Sequence, residues 1–163
     1  MKKIVLFLGL LGLLSTSVKV LADDSLNLTA KGAIAVDANT GKVLYEKNAD
    51  QPLAVGSISK LLTAYLVYES ISEGKLSWQT PVKISDYSYQ LTQKEDVANV
   101  PLEKSEYTVK ELLEASLISN ANSPAISLAE AISGSEPKFV DKMRDKLKSW
   151  GIENAKIVNA TGL

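Results

Sequence analysis

The regular pattern of the chain begins with two short apolar segments, residues 32–36 and 42–46, on either side of a polar turn. The turn, residues 37–41, reads Asp-Ala-Asn-Thr-Gly, and residues of these types favour tight turns. Such a turn brings the second apolar segment back beside the first. We therefore predict a β-hairpin of two antiparallel strands.

A longer apolar segment, residues 57–71, predicts the most buried helix of the chain. Its apolar side chains point in nearly every direction around a helical axis, rather than along one stripe. Pro52 disfavours helical backbone at the preceding residue, and Gly74 ends the helix. We expect other elements to cover this helix on most sides.

Residues 75–106 are polar and irregular, with prolines at 81 and 101 and one short strand-like segment at 82–84. An irregular stretch of this length is uncommon inside a compact domain unless it is functional or wraps over a site.

Three capped helices are predicted in the last third of the chain. The first begins with Thr-Val-Lys-Glu, a capping box in which Thr108 and Glu111 each satisfy a free backbone N–H. The second begins at Ser123, a favoured N-cap residue followed by proline. The helices cover residues 108–118, 123–133 and 136–150, and a strand pattern begins at residues 155–158.

Together these elements indicate a mixed α/β (α+β) fold with helices packed on an antiparallel sheet. One hairpin supplies only two strands, so a sheet of useful size is unfinished within the sequence. We favour the interpretation that residues 23–163 are the N-terminal part of a larger domain, truncated before its C-terminal strands. The alternative is a mostly helical domain with a hairpin attached.

The first 22 residues have the pattern of a secretory signal peptide. Two lysines precede an apolar run of 11 residues, and the small side chains of Val20 and Ala22 stand at −3 and −1 of a predicted cleavage site. The apolar run is too short to span a bilayer comfortably. We therefore predict an exported protein.

The sequence contains no cysteine and no histidine. Ser-His-Asp and Cys-His catalysis, disulfides and zinc–thiolate sites are therefore excluded, and no ligand loop for Ca²⁺ or Mg²⁺ is recognisable. Residues 1–22 hold three of the 18 cationic side chains and none of the 19 acidic ones, so the exported part has a net charge of −4. A nucleic-acid partner is not expected, because it would require a basic surface.

Candidate chemistry begins with Ser-Ile-Ser-Lys, residues 57–60, at the start of the predicted buried helix. Residues three apart share a helix face, so the Lys60 amine can reach the Ser57 hydroxyl. Lys60 is the only cationic residue between Lys47 and Lys75. Burial lowers the pKa of a lysine toward that of a general base, and the helix N-terminus stabilises negative charge near Ser57.

The alternative interpretation of this motif is structural, with Ser57 as an N-cap and Lys60 extending to solvent. Ser59 is the weaker nucleophile candidate, because no basic residue follows it at +3.

A second polar cluster, Ser-Asn-Ala-Asn at residues 119–122, falls on a turn between two predicted helices. Asparagine offers one carbonyl acceptor and two N–H donors, which suit it to hold a substrate amide or a neighbouring lysine. Polar residues that merely form the turn are the alternative.

These motifs resemble those of penicillin-binding proteins, specifically the low-molecular-mass D-alanyl-D-alanine carboxypeptidases of the serine transpeptidase/β-lactamase superfamily. The resemblance implies a β-lactamase/transpeptidase-like fold. It runs from residue 28 to residue 163 and rests on the hairpin of residues 33–47, the helix start of residues 57–63, residues 107–113 and residues 157–163.

By this resemblance, Ser57 is the acylated nucleophile and Lys60 is its proton acceptor. Residues 120–122 align with the Ser-x-Asn motif of the family: Asn122 keeps the substrate-holding asparagine, whereas Asn120 stands where the family has serine. Asn120 lacks the hydroxyl that relays a proton to the leaving group, but it can hydrogen-bond Lys60. The third motif, Lys-Thr-Gly, does not occur in the sequence, and we expect its strand to lie beyond Leu163.

The resemblance implies a serine-type D-Ala-D-Ala carboxypeptidase that trims peptidoglycan stem peptides through an acyl-enzyme on Ser57 and is acylated by penicillin. It implies neither a metal nor an organic cofactor, and we expect residues 23–163 alone to be inactive. Two alternatives stay open: a β-lactamase of the same superfamily, and a non-catalytic cell-wall binding module that retains the scaffold.

The expected partners are stem peptides ending in D-Ala-D-Ala and β-lactam antibiotics. The expected location is extracytoplasmic, in the cell wall or at the outer face of the cytoplasmic membrane. The resemblance also allows membrane association through a C-terminal segment that this sequence does not contain.

Overall fold

The structure is a computed structural model that describes residues 26–163. The predicted signal peptide, residues 1–22, lies outside the described residues. Within the described part, no helix is both long and apolar enough to cross a membrane. The described residues divide into two compact units, residues 26–51 and residues 52–163.

The first unit contains the predicted hairpin. Strand β1 (Ala33–Val36) pairs with strand β2 (Val43–Lys47) in an antiparallel two-stranded sheet. The turn between them is held by the Asp37 carboxylate, which accepts hydrogen bonds from the backbone N–H and the hydroxyl of Thr40 at 2.8 and 2.7 Å. The hairpin prediction is confirmed, because the turn residues carry their own local hydrogen bonds.

The second unit is mostly helical. A 3-10 turn (Gly56–Ile58) leads into its first helix, and two three-residue strands form an antiparallel pair. In chain order the elements are α1 (Ser59–Ser72), β3 (Pro81–Lys83), α2 (Asp86–Leu91), β4 (Glu106–Thr108), α3 (Val109–Ile118), α4 (Asn122–Ser133) and α5 (Glu136–Ser149).

The predicted capping box at the start of α3 is confirmed. The Thr108 hydroxyl oxygen accepts the Glu111 backbone N–H at 3.2 Å, and the Glu111 carboxylate accepts the Thr108 backbone N–H at 2.8 Å. These reciprocal bonds satisfy two N–H groups that the helix itself leaves free.

The predicted start of α4 is corrected. The helix begins at Asn122, so Ser123 is not its N-cap but lies buried in its first turn. The Asn99 side chain, from the loop before β4, accepts the Ser123 backbone N–H at 2.8 Å. A side chain 24 residues away thus satisfies one of the free backbone N–H groups at the start of the helix.

The sequence did not predict α2, which lies within residues 75–106, or β4, which begins at the end of that stretch. α2 begins at an N-cap, Ser85, whose hydroxyl accepts the Ser88 backbone N–H at 3.1 Å, and β4 exists through its pairing with β3. The strand predicted at residues 155–158 is not formed. Instead, the Arg144 guanidinium donates two hydrogen bonds to the Ile157 carbonyl, at 2.6 and 3.0 Å, and satisfies it without a strand partner.

The core of this unit is built around α4, which packs against α1, α2, α3 and α5. One apolar cluster joins α1 to α3 through Val67 and Leu112, and a second joins α1 to α5 through Leu66, Phe139 and Met143. Each such side chain contributes about 1.5–3 kcal/mol when fully buried.

α1 is covered on one side only, which corrects the prediction of a helix buried in most directions. Lys60, Ala64 and Val67 are buried, whereas Leu61 is 62% exposed and Tyr68 is 53% exposed. The helices α3, α4 and α5 pack on α1 within the described residues, and they leave the Leu61 side uncovered. The apolar character of its side chains predicted that α1 is buried on most sides, but a side chain is buried only where another element packs against it.

Candidate active site

The start of α1 places the Ser57 hydroxyl at the surface and the Lys60 amine in the interior. Ser57 lies in the 3-10 turn and Lys60 in the first turn of α1. Ser57 is exposed, Lys60 is 2% exposed, and Lys60 Nζ lies 3.1 Å from Ser57 Oγ. The structure thus brings the two predicted residues into direct contact.

Two further oxygen atoms contact the Lys60 amine, and both come from distant parts of the chain. Asn120 Oδ1 lies at 3.0 Å and the Thr161 carbonyl oxygen at 3.3 Å from Lys60 Nζ. Asn120 occupies the turn between α3 and α4 with a φ of 53°, a left-handed conformation that asparagine tolerates better than most residues. The predicted residue at position 120 is therefore a partner of the lysine.

Burial lowers the pKa of Lys60 below its usual value. The three hydrogen-bond partners of its amine are uncharged oxygens, and no carboxylate of the described residues forms an ion pair with it. No opposite charge therefore offsets the cost of removing the ammonium form from water.

A neutral amine fits this set of partners. It has two N–H groups and one lone pair, while Asn120 Oδ1 and the Thr161 carbonyl can only accept hydrogen bonds. The two N–H groups can go to these acceptors, which leaves the lone pair of Lys60 for the Ser57 hydroxyl. A base that removes a proton from serine requires this arrangement.

Asn122 lies apart from this cluster. It is 2% exposed, and its side-chain N–H and backbone N–H both donate to the Ala98 carbonyl, at 2.8 and 3.1 Å. The bond to a carbonyl identifies the donating atom as Nδ2, so the buried atom without a partner is Oδ1. None of its hydrogen bonds in the described structure joins it to Ser57, Lys60 or Asn120.

The turn formed by residues 159–162, which supplies the Thr161 carbonyl, was not predicted as part of the site. Asn159 Oδ1 accepts the backbone N–H groups of Thr161 and Gly162 at 3.1 and 2.6 Å. The Thr63 hydroxyl of α1 donates to the Ala160 carbonyl at 2.7 Å. An Asn-x-Thr-Gly sequence was the available signal, because asparagine closes such turns and glycine allows positive φ.

Gly162 makes the closest backbone approach to the site. Its φ is +81°, and a Cβ atom on it would overlap the carbonyl of Gly56, the residue before Ser57. The turn is therefore packed directly against the backbone that carries the candidate nucleophile.

No group of three or more acidic residues in the described part of the chain is arranged to hold a metal ion. The groups in contact at the start of α1 are the Ser57 hydroxyl, the Lys60 amine, the Asn120 side-chain amide and the Thr161 carbonyl.

Residues 18–163 match the sequence profile of the D-alanyl-D-alanine carboxypeptidase family. The chain belongs to this family. The D-alanyl-D-alanine carboxypeptidase DacF of Bacillus subtilis is 38% identical over 135 residues, which are 82% of this chain and 34% of DacF. The family resemblance drawn from the motifs is confirmed.

Solved structures of penicillin-binding proteins show the same fold. A peptidoglycan synthesis regulatory factor (PBP3) from Streptococcus pneumoniae is 60% identical, with a TM-score of 0.80 over 82% of this chain and 37% of that chain. Penicillin-Binding Protein D2 from Listeria monocytogenes, solved in an ampicillin-bound form, is 29% identical, with a TM-score of 0.70 over 83% of this chain and 53% of that chain. The expected transpeptidase-like fold is confirmed, and the chain spans between 34% and 53% of the length of these three family relatives.

Proposed function

We propose that the protein is an exported serine-type D-Ala-D-Ala carboxypeptidase that acts on the stem peptides of peptidoglycan. The observation that carries this proposal is the 3.1 Å contact between the exposed Ser57 hydroxyl and the buried Lys60 amine, in a chain of the D-alanyl-D-alanine carboxypeptidase family. A hydroxyl beside a buried amine is a nucleophile and base that need no histidine.

In the proposed reaction, Ser57 Oγ attacks the carbonyl carbon between the last two D-alanines and gives its proton to Lys60. Lys60 then delivers this proton to the amide nitrogen as the C–N bond breaks, the terminal D-alanine leaves as an amine, and the rest of the peptide remains as an ester on Ser57. Water then hydrolyses the ester. Asn122 stands at the substrate-holding asparagine of the family motif, and its buried Oδ1 atom, which has no partner in the described structure, would have to become accessible to accept a hydrogen bond from a peptide N–H.

We also propose how the chain is divided and where the protein acts. Residues 1–22 would be a signal peptide, residues 23–163 the N-terminal part of the catalytic domain, and the site would work outside the cytoplasmic membrane. Two facts support this division: the family relatives are longer than this chain, and the sequence contains no Lys-Thr-Gly motif. The ampicillin-bound relative supports β-lactams as ligands.

Labelling of the full-length protein with a fluorescent penicillin tests the assignment of the nucleophile. We expect one covalent adduct per protein, located on Ser57 by mass spectrometry and lost in Ser57→Ala. Ser59→Ala is the matched control, because Ser59 lies in the same turn and has a leucine rather than a lysine at +3. Thermal unfolding of both variants checks that each is folded.

The same experiment separates the alternatives. Labelling that survives Ser57→Ala, or an adduct on Ser59, contradicts the proposed nucleophile. Rapid release of the label with hydrolysed penicillin indicates a β-lactamase. A folded protein that takes up no label and cleaves no D-Ala-D-Ala peptide is a binding module.

A further inference from the structure

The polar partners of Lys60 differ in whether they can transfer a proton. Ser57 is the only hydroxyl that contacts the amine within the described residues, while Asn120 offers an amide oxygen and Thr161 a backbone carbonyl. An amide forms hydrogen bonds but does not ionise near neutral pH. A proton that reaches Lys60 therefore has no second side chain to move to.

The other hydroxyls near this cluster are committed elsewhere. Thr63 donates to a backbone carbonyl at 2.7 Å, and the Thr161 hydroxyl donates to Asn159 at 3.2 Å. Ser119 lies at the exposed C-terminal end of α3, where its backbone N–H bonds back to the helix, and its hydroxyl makes no bond to Lys60 in the described structure.

The lack of a second proton carrier affects leaving groups differently, because they differ in their need for a proton. An amide nitrogen must be protonated before or while the C–N bond breaks, and a general acid commonly contributes about 10²–10⁴-fold to such a step. A thiol has a pKa of about 8.5, so a thioester can expel its sulfur as the thiolate, without a proton.

Resting on the proposed function, we propose that Asn120 is a specificity-determining residue, which slows the expulsion of an amine far more than the expulsion of a thiolate. With an amide substrate, the Ser57 proton moves to Lys60, and Lys60 itself must turn and deliver it to the nitrogen as the C–N bond breaks. With a thioester, the C–S bond breaks, the thiolate leaves, and Lys60 loses its extra proton to water. Ser57 carries the same acyl group in both cases.

The test compares two substrates that share one acyl group, a peptide ending in D-Ala-D-Ala and the matching thioester, on the full-length protein. Asn120→Ser adds a hydroxyl beside Lys60, and Asn120→Ala removes the amide without adding one. We expect Asn120→Ser to raise the ratio of amide to thioester kcat/KM at least about tenfold, the lower part of what general acid catalysis supplies. We expect no such rise in Asn120→Ala, which places a similarly strained residue at the same positive φ as Asn120→Ser does.

The inference is overturned if Asn120→Ser leaves the ratio unchanged, or if Asn120→Ala raises it as much, since extra space rather than a hydroxyl would then be responsible. Ser57→Ala tests the proposed function separately. If thioester turnover is lost in Ser57→Ala while the ratio in Asn120→Ser is unchanged, only the inference fails. If thioester turnover survives Ser57→Ala, or if no variant reacts at all, the proposed function fails and the inference with it.

Discussion

The charge state of Lys60 is the single-residue property on which the proposed chemistry depends. An exposed lysine keeps its proton at neutral pH, because its pKa lies near 10.4. The Lys60 amine is buried, faces three uncharged oxygens, and has a lowered pKa. Since only the neutral amine can accept the Ser57 proton, acylation should rise as pH rises through this lowered pKa.

The free energy of unfolding should also rise with pH. Between the lowered pKa of folded Lys60 and the usual pKa of an unfolded lysine, the unfolded chain binds more protons than the folded one. The contribution of Lys60 to the free energy of unfolding therefore increases with pH across this window.

Lys60→Arg separates a base from a structural cation. Arginine keeps its positive charge at every accessible pH, so we expect this variant to be labelled by fluorescent penicillin about 10²–10⁴-fold more slowly. Lys110→Arg is the control, because the Lys110 side chain is 56% exposed on α3. Labelling of Lys60→Arg at more than about half the parent rate, far from the loss expected of a general base, would mean that Lys60 is structural.

At the scale of one element, the turn of residues 159–162 connects α1 to the candidate site. It bonds to Thr63 of α1 through the Ala160 carbonyl, presents the Thr161 carbonyl to Lys60, and packs through Gly162 against Gly56. A displacement of this turn moves an acceptor of the base and the backbone before Ser57 together.

Gly162→Ala should therefore reduce both stability and acylation, and Gly151→Ala isolates the cause. Both glycines have φ near +80°, but a Cβ on Gly151 meets no atom within 4 Å, whereas one on Gly162 overlaps Gly56. We expect Gly151→Ala to cost about 1–2 kcal/mol of unfolding free energy, from left-handed backbone alone. Gly162→Ala should cost about 1–3 kcal/mol more, from overpacking, and should also slow penicillin labelling.

Thermal unfolding and labelling rates of the two variants are compared side by side. Equal stability losses with unchanged labelling in Gly162→Ala would show that the turn does not position the site.

Across the described residues, apolar side chains stay partly exposed along one side of α1 and at the end of α3. Leu61, Tyr65 and Tyr68 lie along one stripe of α1, and Ile118 is 81% exposed. The two sheets have two strands each, which is marginal for an independent sheet. Apolar patches of this kind favour association when nothing covers them.

We predict that residues 23–163 expressed alone aggregate or unfold without cooperativity, and are not labelled by penicillin. Fusion to the C-terminal part of the Streptococcus pneumoniae PBP3 relative should restore cooperative unfolding and penicillin labelling together. As a control, Leu61→Gln with Tyr68→Gln should reduce aggregation of the short chain, measured by light scattering, without restoring labelling. A cooperative melt with stoichiometric labelling of residues 23–163 would contradict the prediction and identify a complete domain.

Features whose partners lie within a few residues could be predicted from residue type and spacing. The hairpin closes on Asp37 and Thr40, the α3 cap on Thr108 and Glu111, and the spacing of Ser57 and Lys60 puts them in contact. In each case the interaction depends on local backbone geometry that residue type and spacing fix.

The surroundings of Lys60 and the covered side of α1 depend instead on how distant segments pack together. Asn120 lies 60 residues from Lys60 in sequence and Thr161 lies 101 residues away, while the α4 start depends on Asn99 of a distant loop. The family motif pointed to Asn120 as a hydrogen-bond partner of Lys60 but not to the Thr161 carbonyl, and both contacts form only after the intervening chain has packed. The burial that lowers the pKa of Lys60 is likewise a property of the packed helices and not of any one segment.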